Sequence, residues 1–137
     1  MKVIIVGASG LVGGHILSLL LADEKCTQVV SLGRRELDIA DNKLEQIVFD
    51  FADEENYKTL SEVDAIFCCL GTTIDKAGTK EKFRQVDYAY PLQLAKWGKA
   101  NNVKNYSIVS AIGADATSSI FYNKVKGEIE DALKQLG

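Results

Sequence analysis

Residues 3–13 read VIIVGASGLVG, a short apolar run that breaks into three glycines with the spacing G-x-x-G-x-x-G. The β-branched residues at positions 3–6 predict a buried strand. After the second glycine the apolar residues Leu11, Ile16, Leu19 and Leu20 recur with helical spacing, which predicts a helix. The amino terminus is therefore expected to form a strand–turn–helix unit.

Each of the three glycines has a mechanical role in such a unit. Gly7 permits a tight turn after the strand, Gly10 lets a pyrophosphate approach bare backbone, and Gly13 lets the helix pack close to the strand. Unpaired N–H groups of the first helical turn, with the helix dipole behind them, would hold the anion. The alternative is a glycine-rich turn in an α/β protein that binds no nucleotide. The predicted dinucleotide-binding residues of this loop are Gly7, Ser9, Gly10, Leu11, Val12 and Gly13.

Strands and helices alternate along the rest of the chain. Further strands are predicted at Gln28–Leu32, Gln46–Phe49, Ala65–Leu70 and Tyr106–Val109. A helix is predicted at Leu92–Ala100, with Asp87 as its N-cap and Pro91 tolerated in its first turn. This alternation favours parallel strands with right-handed crossovers. We therefore expect one α/β domain over residues 1–137, a three-layer Rossmann architecture whose doubly wound parallel sheet has the strand order 3-2-1-4-5.

Composition limits the classes of protein to which the chain can belong. The 137 residues are 47% hydrophobic, enough to bury one sizeable core. A net charge of −3 argues against a nucleic-acid surface and against a basic membrane-binding face. No segment approaches the roughly 20 apolar residues of a membrane span, and the apolar stretch before Gly7 is too short for a signal peptide. We expect a cytoplasmic protein with no nucleic-acid or membrane partner.

The three cysteines and the single histidine do not form a metal-binding pattern. Cys68 and Cys69 are adjacent inside a predicted strand, and His15 lies on the predicted first helix. A metal or redox site would need further ligands at suitable spacing. We therefore expect both cysteines to pack as small hydrophobic residues and no metal to bind.

Two arginines follow the second predicted strand. Arg34 and Arg35 lie about 20 residues beyond the glycines, where an NAD-specific protein usually places an acidic residue for the ribose 2′-hydroxyl. Guanidinium groups suit a 2′-phosphate instead, because they offer a rigid bidentate fork and can stack on adenine. The pair favours NADP (NADPH) over NAD. The alternative is a solvated pair that Glu36 and Asp38 neutralise.

Other strand ends complete the expected cofactor site, because ligands of such sheets collect at the carboxyl ends of the strands. Asp50 and Phe51 end the third predicted strand, near the expected adenine. Leu70, Gly71 and Thr72 end the fourth, beside the expected sugar and nicotinamide.

A Y-x-x-x-K pair in the last third of the chain is the candidate catalytic site. Tyr122 and Lys126 are four residues apart, which places them on one helix face. A phenol has a pKa of about 10 in water, and a neighbouring ammonium lowers it by stabilising the phenolate. Ser110, after the fifth predicted strand, would hydrogen-bond a substrate oxygen and orient a carbonyl for hydride attack. The alternative is a solvated tyrosine–lysine pair on a surface helix.

Together these segments resemble the atypical short-chain dehydrogenases/reductases, in the Tat-interacting-protein-like oxidoreductase branch. The resemblance covers the whole chain and is carried by Gly7–Gly13, Gly33–Arg35, CCLGTT at 68–73, Phe83–Asp87, Ser110 with 113–115, and Tyr122–Glu128. It implies an NADP-binding Rossmann domain with a catalytic site at Ser110, Tyr122 and Lys126, in which the lysine also reaches the nicotinamide ribose. Members of that family continue beyond the tyrosine helix, so we expect a chain truncated at its C-terminus, with its substrate-binding part largely absent.

Three functions are open on the sequence alone. The leading one is an NAD(P)-dependent oxidoreductase acting on an unidentified carbonyl or alcohol, and the second is a non-catalytic NADPH-binding regulatory or protein-interaction module. The third, the nucleotide domain of a semialdehyde dehydrogenase, needs a nucleophilic cysteine, for which Cys68 and Cys69 are poor candidates inside a strand. The fifth strand would form an unprotected sheet edge, so we also expect a homodimer or larger homo-oligomer.

Overall fold

A computed structural model describes residues 1–70, 77–108 and 121–136. The strands of the described residues form one sheet in the order β3-β2-β1-β4-β5, and the pairs β1–β2, β1–β4 and β2–β3 are parallel. The predicted doubly wound sheet and its strand order are confirmed. The strands are β1 (Lys2–Val6), β2 (Gln28–Gly33), β3 (Leu44–Val48), β4 (Ala65–Cys68) and β5 (Asn105–Ile108). The helices are α1 (Leu11–Ala22), α2 (Glu54–Tyr57), α3 (Lys80–Arg84), α4 (Tyr90–Ala100) and α5 (Phe121–Leu136), and a π-helical segment at Gln85–Ala89 joins α3 to α4.

The chain divides into two compact units. The first comprises residues 1–69 and 98–107, and the second comprises residues 70–97 and 108–137. The first unit contains β1 to β4, most of β5 and helices α1 and α2. The second contains α3, the π-helical segment, most of α4, and α5.

The central strand β1 positions the glycine turn of the first unit. Val3 to Val6 are at most 1% exposed, and β1 pairs with β2 on one side and β4 on the other. A strand covered on both faces needs apolar residues at successive positions, which explains why this run does not alternate with polar residues. The apolar run ends where the strand leaves the sheet, at Gly7.

Helix α1 packs on the sheet through a narrower face than the apolar residues of the sequence indicate. Leu17 and Leu20 are buried together with Gly13, whereas Leu11 and Leu19 are 81% and 71% exposed. The prediction of the helix is confirmed. The two exposed leucines show that apolar spacing alone did not identify its buried face.

Asp87 corrects a predicted helix boundary. The expectation that Asp87 caps a helix at Leu92–Ala100 is wrong, because α3, the π-helical segment and α4 follow one another directly and Asp87 lies buried inside them. The N–H of Tyr90 donates to the carbonyl of Gln85, five residues earlier, immediately before Pro91. A proline in a helix lacks a donor and crowds the carbonyl four residues before it. The wider π turn accommodates that crowding.

Strand ends also differ from the predictions. Strand β3 ends at Val48, one residue before the predicted end at Phe49, whose ring packs against Phe51 and Tyr57 with centroids 4.9 and 5.1 Å apart. Strand β4 ends at Cys68 rather than at Leu70. The rings of Phe51 and Tyr57 pack on Phe49 at the end of β3, and the N–H of Phe49 still donates to the Gly33 carbonyl oxygen of β2 at 2.8 Å.

Candidate functional site

The turn after β1 has the geometry that its glycines predict. Gly7 has φ +80°, a left-handed conformation that favours glycine. The N–H of Gly10 donates to the Gly7 carbonyl oxygen at 3.2 Å, which closes the turn. The first glycine of the motif is therefore required by the backbone conformation.

Gly13 is required by packing. A Cβ atom added there would lie 2.8 Å from the Gly7 carbonyl carbon and 3.0 Å from the Ala8 Cα, both backbone atoms that cannot easily move. A Cβ on Gly10 would lie 3.6 Å from the Gly7 oxygen, an ordinary contact. The protein's own packing therefore explains Gly13, whereas the predicted role of Gly10 concerns a ligand.

The amino terminus of α1 presents bare backbone. Gly10 is its N-cap and provides no side-chain hydrogen bond, and the first turn contains no acidic residue. The first N–H groups of a helix have no carbonyl four residues earlier to bind. Leu11 is 81% exposed and Val12 48% exposed. These features suit an anion placed on the helix axis.

A cavity of about 500 Å³ brings the glycine turn and the end of β2 together. It joins residues that the sequence analysis assigned to the cofactor, Gly7, Ser9, Arg34 and Arg35, although 24 or more positions separate the turn from the arginines. They lie close together because β1 pairs with β2 in a register that places Val6, the last residue of β1, beside Leu32. The cavity is lined by Gly7, Ala8, Ser9, Ser31, Leu32, Gly33, Arg34, Arg35 and Leu37.

Both arginines are exposed at the cavity. Within residues 1–70, 77–108 and 121–136, neither Arg34 nor Arg35 forms an ion pair with Glu36, Asp38 or any other residue. The alternative of a self-neutralised pair therefore finds no support in these contacts. The two guanidinium groups remain available to an anionic ligand.

Asp50 and Phe51, which the sequence also places at the cofactor, do not line this cavity. Asp50 accepts a hydrogen bond from the N–H of Ala52 at 3.0 Å, and Phe51 is 5% exposed in the aromatic cluster. Leu70 is half-buried and follows β4. Gly71, Thr72 and Ser110 lie outside the described residues, so their assignments stay predictions.

The second unit contains the predicted catalytic lysine, buried against a carboxylate. Lys126 is 3% exposed, and its Nζ contacts the Asp87 carboxylate, whose side chain is fully buried. Tyr122 is placed by its backbone one turn earlier on α5. Lys126 is therefore not the solvated residue of the alternative interpretation.

Asp87 is a residue of this site that sequence reasoning missed. The spacing of Asp87 from Phe83 could have indicated that it is buried. Asp87 lies four residues after Phe83, which is fully buried, and therefore on the same helical face. A carboxylate in such a place needs a charged partner. The sequence does not identify Lys126, 39 positions later, as that partner.

A second ion pair lies closer to the surface of the same unit. Arg84 donates to both carboxylate oxygens of Glu128, at 3.0 and 3.2 Å. Its guanidinium also lies 4.2 Å from the centre of the Tyr88 ring. These contacts connect α3 to α5, whereas the buried pair connects the π-helical segment to α5.

Cys69 is not an activated thiol. Cys68 is fully buried, whereas Cys69 is only half-buried. Burial, and secondly the neighbouring Cys68, raises the pKa of Cys69 to about 11, so its reactive thiolate form is disfavoured. The described residues contain no group of three or more histidine, cysteine or acidic side chains placed to hold a metal, and none of the described helices is long and apolar enough to cross a membrane.

Comparison with known proteins agrees with this geometry. Residues 7–135 match the model of the NAD(P)H-binding family. A short-chain dehydrogenase/reductase superfamily protein from Agrobacterium tumefaciens, solved with bound NAD, has the same fold with a TM-score of 0.82 at 13% identity, covering 98% of this chain and 44% of that one. The predicted resemblance to this superfamily is confirmed at the level of the fold.

Curated relatives are similar over nearly the whole chain. Protein HTATIP2 of Rattus norvegicus is 38% identical over 98% of this chain, and the mitochondrial protein FMP52 of Candida albicans is 32% identical over 100% of it. The chain spans 57% and 62% of the length of these two relatives.

The predicted cytoplasmic location is wrong. The Candida albicans relative and further fungal relatives, from Emericella nidulans and Scheffersomyces stipitis, are named mitochondrial. The prediction rested on the net charge and on the lack of a membrane-spanning segment or a signal peptide. These features bear on membrane binding and secretion, and they do not identify a compartment.

Proposed function

This chain belongs to the NAD(P)H-binding family, and on that premise we propose that it is an NADP-dependent oxidoreductase of the short-chain type acting on a carbonyl or alcohol. The observation that carries the proposal is the cavity in which Arg34 and Arg35 face the glycine turn. The adenosine half of NADP carries two anionic groups, the pyrophosphate and the 2′-phosphate. The glycine turn would bind the first group, and the arginines would bind the second.

The residues of the first unit fit that half of the cofactor. The Gly10 backbone and the first turn of α1 would receive the pyrophosphate, because they carry no side-chain cap and no acidic residue. Arg34 and Arg35 would bind the 2′-phosphate through charge-assisted hydrogen bonds. Ser31 is buried, lines the same cavity, and leaves room for the ribose because its side chain is small.

The proposed chemistry divides between cofactor and protein. When bound, NADPH would supply the hydride for the carbonyl carbon. Tyr122 would give the proton that the developing alkoxide takes up, Ser110 would hold the carbonyl oxygen, and Lys126 would lower the pKa of the phenol. The product is the corresponding alcohol, and the reverse reaction returns the proton to Tyr122.

The contact between Lys126 and Asp87 supports a second candidate, a non-catalytic NADPH-binding module. A carboxylate against the ammonium offsets much of the positive charge that would stabilise a phenolate. A protein that only binds the dinucleotide has no need of that charge. Turnover therefore separates the two candidates, whereas cofactor binding does not.

Cofactor titration tests the binding proposal. NADPH should bind more tightly than NADH, and replacing both Arg34 and Arg35 with alanine should remove the difference, about 1–3 kcal/mol for hydrogen bonds to charged groups. Removing two exposed lysines instead, by Lys25→Ala with Lys104→Ala, controls for the change in net charge and should leave the preference intact. Equal affinity for the two cofactors in the unmodified protein would contradict the proposal.

Oxidation of NADPH in the presence of a panel of aldehydes and ketones tests catalysis. Tyr122→Phe should abolish turnover with NADPH affinity nearly unchanged, since it removes a proton donor and little binding surface. Tyr88→Phe removes a hydroxyl elsewhere on the same unit and serves as the matched control. Turnover that survives Tyr122→Phe would exclude the assigned acid, and no turnover with tight NADPH binding would favour the binding module.

A further inference from the structure

The side-chain amide of Gln46 is bonded to the loop that carries the two arginines. Its Oε1 accepts from the N–H of Leu37 at 2.6 Å, and its Nε2 donates to the carbonyl oxygens of Leu37 and Ile39, both at 3.1 Å. One side chain therefore satisfies both backbone groups of Leu37, as a neighbouring strand would. Gln46 lies on β3, in register with Ser31 of the cavity wall.

This loop has little support of its own. Residues 34–43 connect the parallel strands β2 and β3 without a helix, although such crossovers are usually helical. In the part of the chain that the structure describes, residues 34–40 form no backbone-to-backbone hydrogen bond. Leu37 also packs against the hydrophobic core beside α1. The amide of Gln46 and the side chain of Leu37 thus hold the segment that follows Arg34 and Arg35.

We infer that Gln46 is a positioning residue for NADP selectivity, an inference that rests on the proposed function. Leu37 lines the same cavity as the arginines and lies two residues after Arg35. Fixing its backbone limits the positions that the preceding guanidinium groups can sample. A preordered loop loses less conformational freedom when it binds a phosphate, which strengthens binding of the ligand that carries the phosphate.

Cofactor binding by a matched pair of variants tests this role. Gln46→Met keeps an unbranched side chain of similar length and removes the three hydrogen bonds. Gln28→Met makes the same change on β2, where the amide donates to Glu45 at 2.9 Å and does not reach the loop. The ratio of the NADH to the NADPH dissociation constant should fall about five- to tenfold in Gln46→Met, for the net loss of hydrogen bonds that order the loop. NADH affinity should change little, and Gln28→Met should keep the ratio of the unmodified protein.

Three outcomes would overturn the inference. An unchanged ratio in Gln46→Met, in a protein that prefers NADPH, contradicts it and leaves the proposed function standing. An equal loss for both cofactors shows a structural role only. If the unmodified protein does not prefer NADPH, both this inference and the proposed preference for NADP are wrong.

Hydrogen exchange on the unmodified protein keeps the test decisive if Gln46→Met does not fold. The N–H of Leu37 should already be protected without cofactor, because it donates to Gln46. NADPH should slow its exchange further, whereas NADH at equal saturation should not, because only the 2′-phosphate engages the arginines. Fast exchange in the free protein, or equal protection by both cofactors, would contradict the inference.

Discussion

At the scale of single residues, Gly13 and Gly14 are adjacent on α1 yet differ in what surrounds them. A Cβ on Gly13 would lie 2.8 Å from the Gly7 carbonyl carbon, whereas one on Gly14 would lie 3.5 Å from the Ala8 carbonyl oxygen. Gly13→Ala should therefore lower the free energy of unfolding by about 1–3 kcal/mol, the usual cost of overpacking. Gly14→Ala should be neutral or stabilise by up to about 1 kcal/mol, because alanine favours helix. Denaturant unfolding measures the free energy of unfolding of the two variants. Equal changes would contradict the close packing of Gly13 against Gly7 and Ala8.

Tyr106 is the residue whose surroundings predict a pH dependence of stability. Burial, and then the Cys68 side chain and its hydrogen bond with the phenol, raise the pKa of Tyr106 above its ordinary value. The unfolded chain ionises this phenol near pH 10, so the folded state binds the proton more tightly. The resulting stabilisation is complete below about pH 10 and is lost as the pH rises further.

Denaturant unfolding between pH 8 and 11 checks this expectation. Tyr106→Phe cannot ionise, and should lose less stability than the unmodified protein between pH 10 and 11. Part of the loss of stability at high pH should persist in the variant, because the raised pKa of Cys69 also makes the folded state less stable as the pH rises. Identical pH profiles for the two proteins would show that the phenol of Tyr106 is not protected from ionisation.

At the scale of elements, the contact of Asp87 with Lys126 joins the π-helical segment to α5. Both side chains are at least 97% buried, so replacing either one takes the opposite charge away from an ionised group in the interior. Lys126→Met or Asp87→Leu alone should cost about 3–5 kcal/mol, and the double variant should cost much less than the sum. The exposed pair Lys58–Glu55 is the control, for which the same cycle should show at most about 1 kcal/mol. If the double variant lost as much stability as the two single variants together, Asp87 and Lys126 would not stabilise each other.

This expectation changes how catalytic variants of α5 are interpreted. Loss of activity in Lys126→Ala would follow from destabilisation alone, even if the lysine takes no part in proton transfer. The double variant separates the explanations, because it removes the ammonium without leaving a buried charge. Activity regained in the double variant would show that the lysine serves the structure of this unit and not the reaction.

At the scale of the whole molecule, the outer strand β5 predicts self-association. Among the described strands β5 pairs on one side only, with β4, and Ser107 on it is exposed. An outer strand without lysine or proline can pair its backbone N–H and C=O groups with those of a second copy. Light scattering after size-exclusion chromatography at micromolar concentration should give a mass above the 15.0 kDa of the monomer. Ser107→Lys should shift the population to monomer, and a monomeric unmodified protein would contradict the expectation.

Much of the fold follows from local pattern. The apolar run before Gly7, the glycine spacing and the alternation of strands with helices predict the sheet and its order, because strand propensity, turn conformation and crossover handedness act over short stretches. The same reasoning predicts that Arg34 and Arg35 follow a strand end, and the β1–β2 pairing brings them to the glycine turn. Element ends were less predictable: β3 begins at Leu44 rather than at Gln46, and β4 ends at Cys68 rather than at Leu70, because pairing at a strand end depends on a neighbouring strand that is distant in sequence.

The sequence by itself therefore determined the sheet order, the glycine turn and the arginines that follow β2, because each of these depends on neighbours close along the chain. Only the tertiary structure decided which side chains meet across long separations. Asp87 became the partner of Lys126 rather than a helix cap, since a buried carboxylate is stable only where folding brings a cation to it. Gln46 became the support of the arginine loop because the pairing of β3 with β2 carries its amide to Leu37. Such contacts depend on the direction in which packed elements point their side chains, which short-range pattern does not encode.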